Sequence, residues 1–341
     1  MSINIKDVAK EAGVSVATVS RVIHNSHSIS EETTKRVQKT IKRLGFVPNK
    51  RAQSLATQRS NLVVFATTNE SAFVSPHKFE ILSGIEQILS RFSYSVIFTQ
   101  VSQKDYAKLG SLCDNKLVDG LILHGVEIDD KLEKFIQEKR TPTIVIGRPK
   151  KETTISWIDN NNVVSGEVAT TCLASKGHQR FLFLGGKKED NISESRLQGL
   201  KNILLRKGLP FSDDDIIRID SEPLKAEKAI NSLIKNGRIH DYDAMVIANN
   251  YLALGAVNAL NERKIKVPSA ISLITFDDYP FAVFTKPKLS SVSVDVYSLG
   301  LYAARMMINQ IKNPETVSQQ YITVPLLNER SSSRYIFKGH K

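Results

Sequence analysis

From Asn61 onward the chain repeats one pattern, a short apolar run followed by a helical stretch and then another apolar run. LVVFA (62–66), SVIFT (95–99), GLILH (120–124) and TIVIG (143–147) form a first group. FLFLG (181–185), IIRID (216–220), AMVIA (244–248) and SLITF (272–276) form a second. Such alternation predicts parallel sheets flanked by helices, with helices expected over 78–92, 162–176, 193–207, 223–236 and 251–263. Two groups of four predict two doubly wound subdomains, not one long sheet. ISWID (155–159) and LSSVSVD (289–295) read as crossings between the lobes, and a helix over 296–312 as a return to the first lobe.

Ahead of that body lies a different kind of segment. Ile5, Val8, Ala9 and Ala12 recur at helical spacing behind a capping Asn4. Gly13 permits a left-handed turn, Val14 plugs the corner, and Ser15 caps a second helix over Val16–Ile23. There Val19, Val22 and Ile23 face inward, leaving Val16, Ala17, Thr18, Ser20 and Arg21 for a partner. Small side chains let a helix sink into a major groove about 12 Å wide, where Arg bonds guanine bidentately. Ser30 caps a third helix, in which Val37, Ile41 and Leu44 close the core before Gly45. From spacing alone, the end of an ordinary three-helix bundle is the alternative. Charge favours nucleic acid: residues 1–60 hold 11 Lys and Arg against 4 Asp and Glu, so +7 of the chain's +12 sits there.

IKDVAKEAGVSVATVSRVI resembles the DNA-binding headpiece of the lactose/galactose repressor family of bacterial transcription regulators. The resemblance makes Val16, Ala17 and Arg21 base readers in the major groove, and Ser15, Thr18 and Ser20 mainly phosphate contacts. Ile5 and Lys6, at the first helix start, join the expected DNA contacts, Lys6 as one indifferent to sequence. His24 stands where the family more often has Asn. The segment from Val47 to Ala56 resembles the family's hinge helix, which forms in the minor groove; Leu55 matches its wedge residue, and Asn49 and Ala52 match neighbouring groove contacts. On composition alone a flexible basic linker is the alternative.

With the body included, the resemblance extends to about Ser333. It implies a small all-α helix-turn-helix headpiece and an α/β body of two doubly wound parallel-sheet subdomains, similar to periplasmic sugar-binding proteins. The expected divisions are a headpiece 1–46, a hinge 47–60, a core 61–333 and a basic tail 334–341. Within the core, lobe one is expected at about 61–158 and 291–318, and lobe two at about 159–290 and 319–333.

Parallel sheets bind ligands beyond the carboxyl ends of their strands, which places an effector between the lobes. Arg196, Asn249 and Asp277 fall at such ends and match effector-contacting positions of the family. Arg148 extends the ring of donors, and Phe276 and Trp157 are candidates to stack on a sugar's apolar face. Each has a plainer alternative: an ion pair within the second lobe for Arg196, a loop cap for Asp277, core for Trp157. Two departures from the family stand out, Asn249-Asn250-Tyr251 where Asn-Asp-Gln is usual, and His77 and Lys78 in place of an aromatic pair. ISWIDNNN and VSVDVYSLG look most like the maltose-type branch, which points to α-glucosides.

No GxSxG, HExxH or P-loop is present, and Gly185-Gly186 lacks the further residues of a phosphate cradle, so no enzyme, cofactor or metal is expected. Cys113 and Cys172 are too far apart for metal-type spacing and read as reduced, buried thiols. There is no long apolar span and no signal peptide, which predicts a cytoplasmic protein without membrane contact. The expectation is a homodimeric repressor of carbohydrate-utilisation genes that binds pseudo-palindromic double-stranded operator DNA and answers to a sugar. The alternatives are a global catabolite regulator governed by a phosphorylated partner protein and, more distantly, a sugar-binding transport protein.

Overall fold

The computed structural model describes residues 3–23, 28–46, 59–68, 76–102, 106–126, 128–149 and 151–336. The chain divides into two units, Met1–Asn61 and Leu62–Lys341.

The first unit holds three helices, α1 (Ile5–Ala12), α2 (Val16–Ile23) and α3 (Glu31–Leu44). Asn4 accepts from the Lys6 and Asp7 amides while the Asp7 carboxylate accepts from the Asn4 amide, a reciprocal cap that starts α1. Gly13, at φ 65°, ends it. Ser15 Oγ then accepts from the Thr18 amide at 3.1 Å and starts α2 after one tight turn. Val8, Ala9, Ala12, Val19, Val22 and Val37 form the core, joined by Phe46, which the apolar periodicity had left out because it follows the helix-ending Gly45.

The second unit begins with β1 (Leu62–Thr68), α4 (Pro76–Leu89) and β2 (Ser95–Val101). Then come α5 (Ala107–Asp114), β3 (Gly120–His124), α6 (Asp130–Lys139), β4 (Thr143–Ile146) and β5 (Ser156–Asn160). The second lobe runs α7 (Asn162–Ser175), β6 (Phe181–Gly185), α8 (Asn191–Lys207), β7 (Ile216–Arg218) and α9 (Pro223–Lys235). It continues with β8 (Ala244–Ile247), α10 (Asn250–Glu262), β9 (Ser272–Phe276) and β10 (Ser290–Ser293). Last come α11 (Val296–Lys312), β11 (Gln320–Thr323) and β12 (Leu326–Asn328).

The strands form two six-stranded sheets, ordered β11-β5-β4-β3-β1-β2 and β12-β10-β9-β8-β6-β7. Every pairing is parallel except β12 on β10. Each order reverses direction beside its first strand, so each sheet has a switch point where helices leave to opposite faces and open a crevice. Helix α11 returns to the first lobe and packs on α4. A Cβ on Gly300 would come within 2.1 Å of the Ile81 carbonyl oxygen, so glycine lets the two backbones touch.

Three boundaries differ from the sequence reading. Ser290–Ser293 pairs with β9 as a strand of the second sheet, so the crossing follows it instead of starting at 291. Gln320–Thr323, expected in the second lobe, is the edge strand of the first sheet against β5. The chain therefore crosses a third time, between Thr323 and Leu326. Neither pairing stands out as an apolar run, because β10 is a short serine-rich strand and β11 is a mostly exposed edge strand. Finally, Arg334–Ile336 is not a free tail: His178 Nε2 lies 3.0 Å from the Arg334 carbonyl, and the Ile336 amide donates to the Lys176 carbonyl at 2.8 Å. Cys113 and Cys172 are free thiols and buried.

Candidate DNA-reading surface and effector cleft

In the headpiece, α2 turns Val19 and Val22 inward and leaves Val16, Ala17 and Arg21 exposed on the opposite side. Val16 is 41% exposed, an apolar side chain that the headpiece core does not use. Thr18 and Ser20 are half-buried; Thr18 Oγ1 lies 2.9 Å from Ser15 Oγ, so the hydroxyl that starts the helix and its neighbour share one rim. Lys6 is exposed, whereas Ile5 packs against the core and offers only an edge. Exposed Lys10, Arg36, Lys39 and Lys42 add positive charge the motif did not single out. His24, Asn49, Ala52 and Leu55 lie outside the described residues, as does the rest of the expected hinge helix.

In the body, the second-lobe wall is built around Arg196 on α8. Gly166 on α7 makes its position possible: a Cβ there would meet the Arg196 carbonyl oxygen at 2.1 Å. The guanidinium is 4% exposed at the side chain and spends its donors in three directions. Nε donates to Asn162 Oδ1 at 3.2 Å, Nη1 to the Ala248 carbonyl at 2.6 Å and Nη2 to Asp277 Oδ1 at 2.6 Å. Its plane lies 4.6 Å from the Phe276 ring centroid. Arg196 thus brings together the ends of β8 and β9 and the start of α7, and the ion pair within the second lobe is the observed arrangement.

Asp277 reaches Arg196 from a backbone at φ 81°, and Asp278 follows at φ 50°. Two consecutive left-handed residues without glycine store strain, which is common where side chains must be aimed at a ligand or a charge. Asp278 is held by Arg330 and by Asn328 Nδ2 at 2.8 Å. Asn249 caps α10 through the Leu252 amide at 2.9 Å and gives its Nδ2 to Ser221 Oγ at 2.9 Å. Its neighbour Asn250 is fully buried and bridges the Phe276 carbonyl and the Tyr279 amide.

Phe276 and Trp157, the candidate stacking faces, present no open ring face in this arrangement. Phe276 is fully buried and one side of its ring is covered by Arg196. Trp157 is 4% exposed within the first-lobe core, with the Arg148 guanidinium 5.9 Å above its ring. Both sit on interior strand positions, where an aromatic ring fills the sheet face before it can line a crevice.

Other residues meet where sequence reading had not assigned them. Asp159, at the end of β5, lies within the fields of Arg148 and Arg196; burial nonetheless pushes its carboxyl up to about 7. On the first-lobe side, Thr67 and His124 are register partners at the β1/β3 switch point, and Lys78 follows at the start of α4. Burial, then Lys78 and His77, drive His124 down to about 4. The lobes touch where the His77 ring meets Tyr279 at 4.6 Å, and Tyr279 in turn meets Tyr251 at 5.3 Å and Phe281 at 5.7 Å. His77 and Tyr251 are two of the family departures noted in the sequence, and this contact is where they come together.

Comparison with known proteins follows the same division. The family described as "Bacterial regulatory proteins, lacI family" matches residues 4–49, and "Periplasmic binding protein-like domain" matches residues 170–333. The HTH-type transcriptional regulator RegA of Clostridium saccharobutylicum is 30% identical over 98% of this chain and 100% of its own. The HTH-type transcriptional regulator MalR of Streptococcus pneumoniae is 31% identical over 97% of this chain and 100% of its own. Among solved structures, a complex of the transcriptional regulator CelR with cellobiose superposes with a TM-score of 0.73 at 27% identity, covering 97% of this chain and 100% of that one.

Proposed function

Because the chain belongs to the lacI family of bacterial regulatory proteins, we propose that it is a homodimeric repressor whose grip on operator DNA is set by a sugar bound between the two lobes of its body. The observation that carries the effector reading is the Arg196 constellation. A buried guanidinium, the Asn162 amide and the Asp277 carboxylate on its left-handed backbone converge at strand ends, the place where a parallel α/β fold binds small molecules. Donors and acceptors mixed in this way match vicinal hydroxyls. A related regulator, CelR, has been solved with cellobiose.

The headpiece supplies recognition. Arg21 reads base edges, Val16 and Ala17 allow close approach and contact thymine methyls, and Lys6, Ser15, Thr18 and Ser20 hold phosphates. One short helix reads too few bases to find a single genomic site, so two copies are needed, each on one half of a pseudo-palindrome. The body carries apolar surface suited to pairing with a second copy: Phe79, Ile97 and Phe98 on the first lobe, and Leu224, Leu254 and Phe284 on the second, are all exposed. Residues 47–60 link the two functions, Leu55 serving as the minor-groove wedge with Asn49 and Ala52 beside it.

Coupling follows from linkage. A sugar that favours a lobe arrangement incompatible with ordered hinges weakens DNA binding, and DNA weakens sugar binding by the same factor. The activity is binding, with no chemical step. Nuclease footprinting of the DNA around its own gene tests the assignment: two symmetric protected half-sites support it, and protection without symmetry or sequence preference contradicts it.

A further inference from the structure

We propose that the first-lobe wall of the cleft is an anion subsite, where the Lys78 ammonium, the Thr67 hydroxyl and the His124 imidazole receive a phosphate or carboxylate carried by the sugar. The proposal rests on the reading of the cleft as the effector site and narrows the effector to an acidic sugar derivative.

Three observations converge. Thr67 and His124 pair across β1 and β3, on the sheet face that Val63, Phe65 and Ile122 share with α4 and α11. Thr67 is fully buried, yet its Oγ1 has no hydrogen-bond partner among the described residues, and neither has the closed-off Nδ1 of His124. Buried polar atoms without partners are uncommon in native proteins, and two side by side at a switch point mark a place that a ligand completes.

The third observation is charge. Lys78 donates to the Thr68 carbonyl at 2.8 Å and has no carboxylate in ion-pair reach among the described residues. It stands in the first turn of a 14-residue helix that has no acid there, next to His77. The helix dipole and the ammonium therefore add up with one sign, and after burial the Lys78 charge is the next cause that lowers the basicity of His124. Two carboxylates of the cleft are committed elsewhere, Asp277 to Arg196 and Asp278 to Arg330, and the third, Asp159, lies in the fields of Arg148 and Arg196 with its carboxyl raised by burial to about 7. A neutral sugar uses the donors but leaves the charge uncompensated; an anionic oxygen group satisfies both. The atoms are closed off in this arrangement, so entry requires the lobes to part at the His77–Tyr279 contact.

Titration calorimetry of the full chain tests this, with hexoses, pentoses and disaccharides, their phosphates and uronic acids, and inorganic phosphate. An acidic derivative is expected to bind at least tenfold tighter than its neutral parent. Lys78→Met should reduce it to the parent's affinity and Lys78→Arg should keep most of it. Thr67→Val, nearly isosteric, should act in the same direction and guards against a folding defect at Lys78. A neutral sugar that binds as tightly as its acidic derivative, with Lys78→Met unaffected, overturns the subsite and leaves the effector cleft standing. Inorganic phosphate binding as tightly as any sugar phosphate overturns the sugar-borne anion. Silence of the whole panel overturns both the subsite and the effector reading.

Discussion

Arg196 Nη2 and Asp277 Oδ1 lie 2.6 Å apart with both side chains nine-tenths or more out of solvent, so each is the other's buried counter-charge as well as a candidate for ligand contact. Breaking such a pair from one side strands the remaining charge and costs about 3–5 kcal/mol. Asp277→Ala, which also places a Cβ residue without a polar tip at φ 81°, is expected to lower stability by that order. Asp277→Asn keeps an acceptor and tolerates the left-handed backbone, so it should unfold much closer to wild type while losing the sugar response. Chemical denaturation beside a ligand titration checks both, and a normal response in Asp277→Asn would reduce Asp277 to a structural role.

The close approach behind Arg196 yields a second expectation. In Gly166→Ala the new methyl meets the Arg196 carbonyl oxygen at 2.1 Å, so α7 and α8 must separate. Overpacking of this kind costs about 1–3 kcal/mol. The sugar response should weaken although residue 166 touches no ligand, while Gly208→Ala, at the end of α8 in open space, should leave the response alone.

Two titrating groups oppose each other. Asp159 is raised from 3.8 to about 7 in the fold, so its contribution is fully present below pH 3.8 and is lost as pH rises through about 7. His124 is lowered from 6.5 to about 4, so its contribution is full above pH 6.5 and is lost as pH falls through about 4. Between these limits the two slopes partly cancel. Asp159→Asn should gain up to about 4 kcal/mol at pH 7.5, little at pH 4, and uncover a stability that climbs with pH. Urea unfolding across this range reads the slope directly; an unchanged profile would contradict the placement of Asp159.

In the headpiece, two of the exposed cations, Arg21 and Lys6, should separate by kind. Arg21→Ala should relax discrimination at one base position by about 1–3 kcal/mol. Lys6→Ala should weaken all sequences alike and reduce the salt slope by about 0.9. Binding to an operator and to three single-base variants at several salt concentrations distinguishes them, and matching effects from both substitutions would sink the assignment.

How much of this could be read beforehand depended on whether a residue's role is local. The caps at Asn4, Ser15 and Ser30 and the turns at Gly13 and Gly45 depend on a few neighbours, and all three headpiece helices begin, and α1 and α3 end, where these residues place them. Central strands such as Gly120–His124 and Phe181–Gly185 are continuous apolar runs and were equally legible. Edge pairings were not, because Gln320–Thr323 is mostly exposed and its partner β5 is some 160 positions away. Site chemistry was hard to read for the same reason. Trp157 and Phe276 have the composition of a sugar platform, but only tertiary packing reveals that one fills a core and the other lies beneath a guanidinium. Asp159, Thr67 and His124 became visible only once strand register set them beside Arg148, Arg196 and Lys78.

The central claim is that one molecule joins operator recognition to a sugar-filled cleft, and fluorescence anisotropy tests it most directly. A labelled palindromic operator from near the protein's own gene is bound at fixed salt and titrated with neutral and acidic sugars. The account predicts tight, sequence-specific binding that one sugar class changes by tenfold or more, with the change lost in Asp277→Asn. Tight binding that no sugar alters would contradict it and turn attention to control by a partner protein.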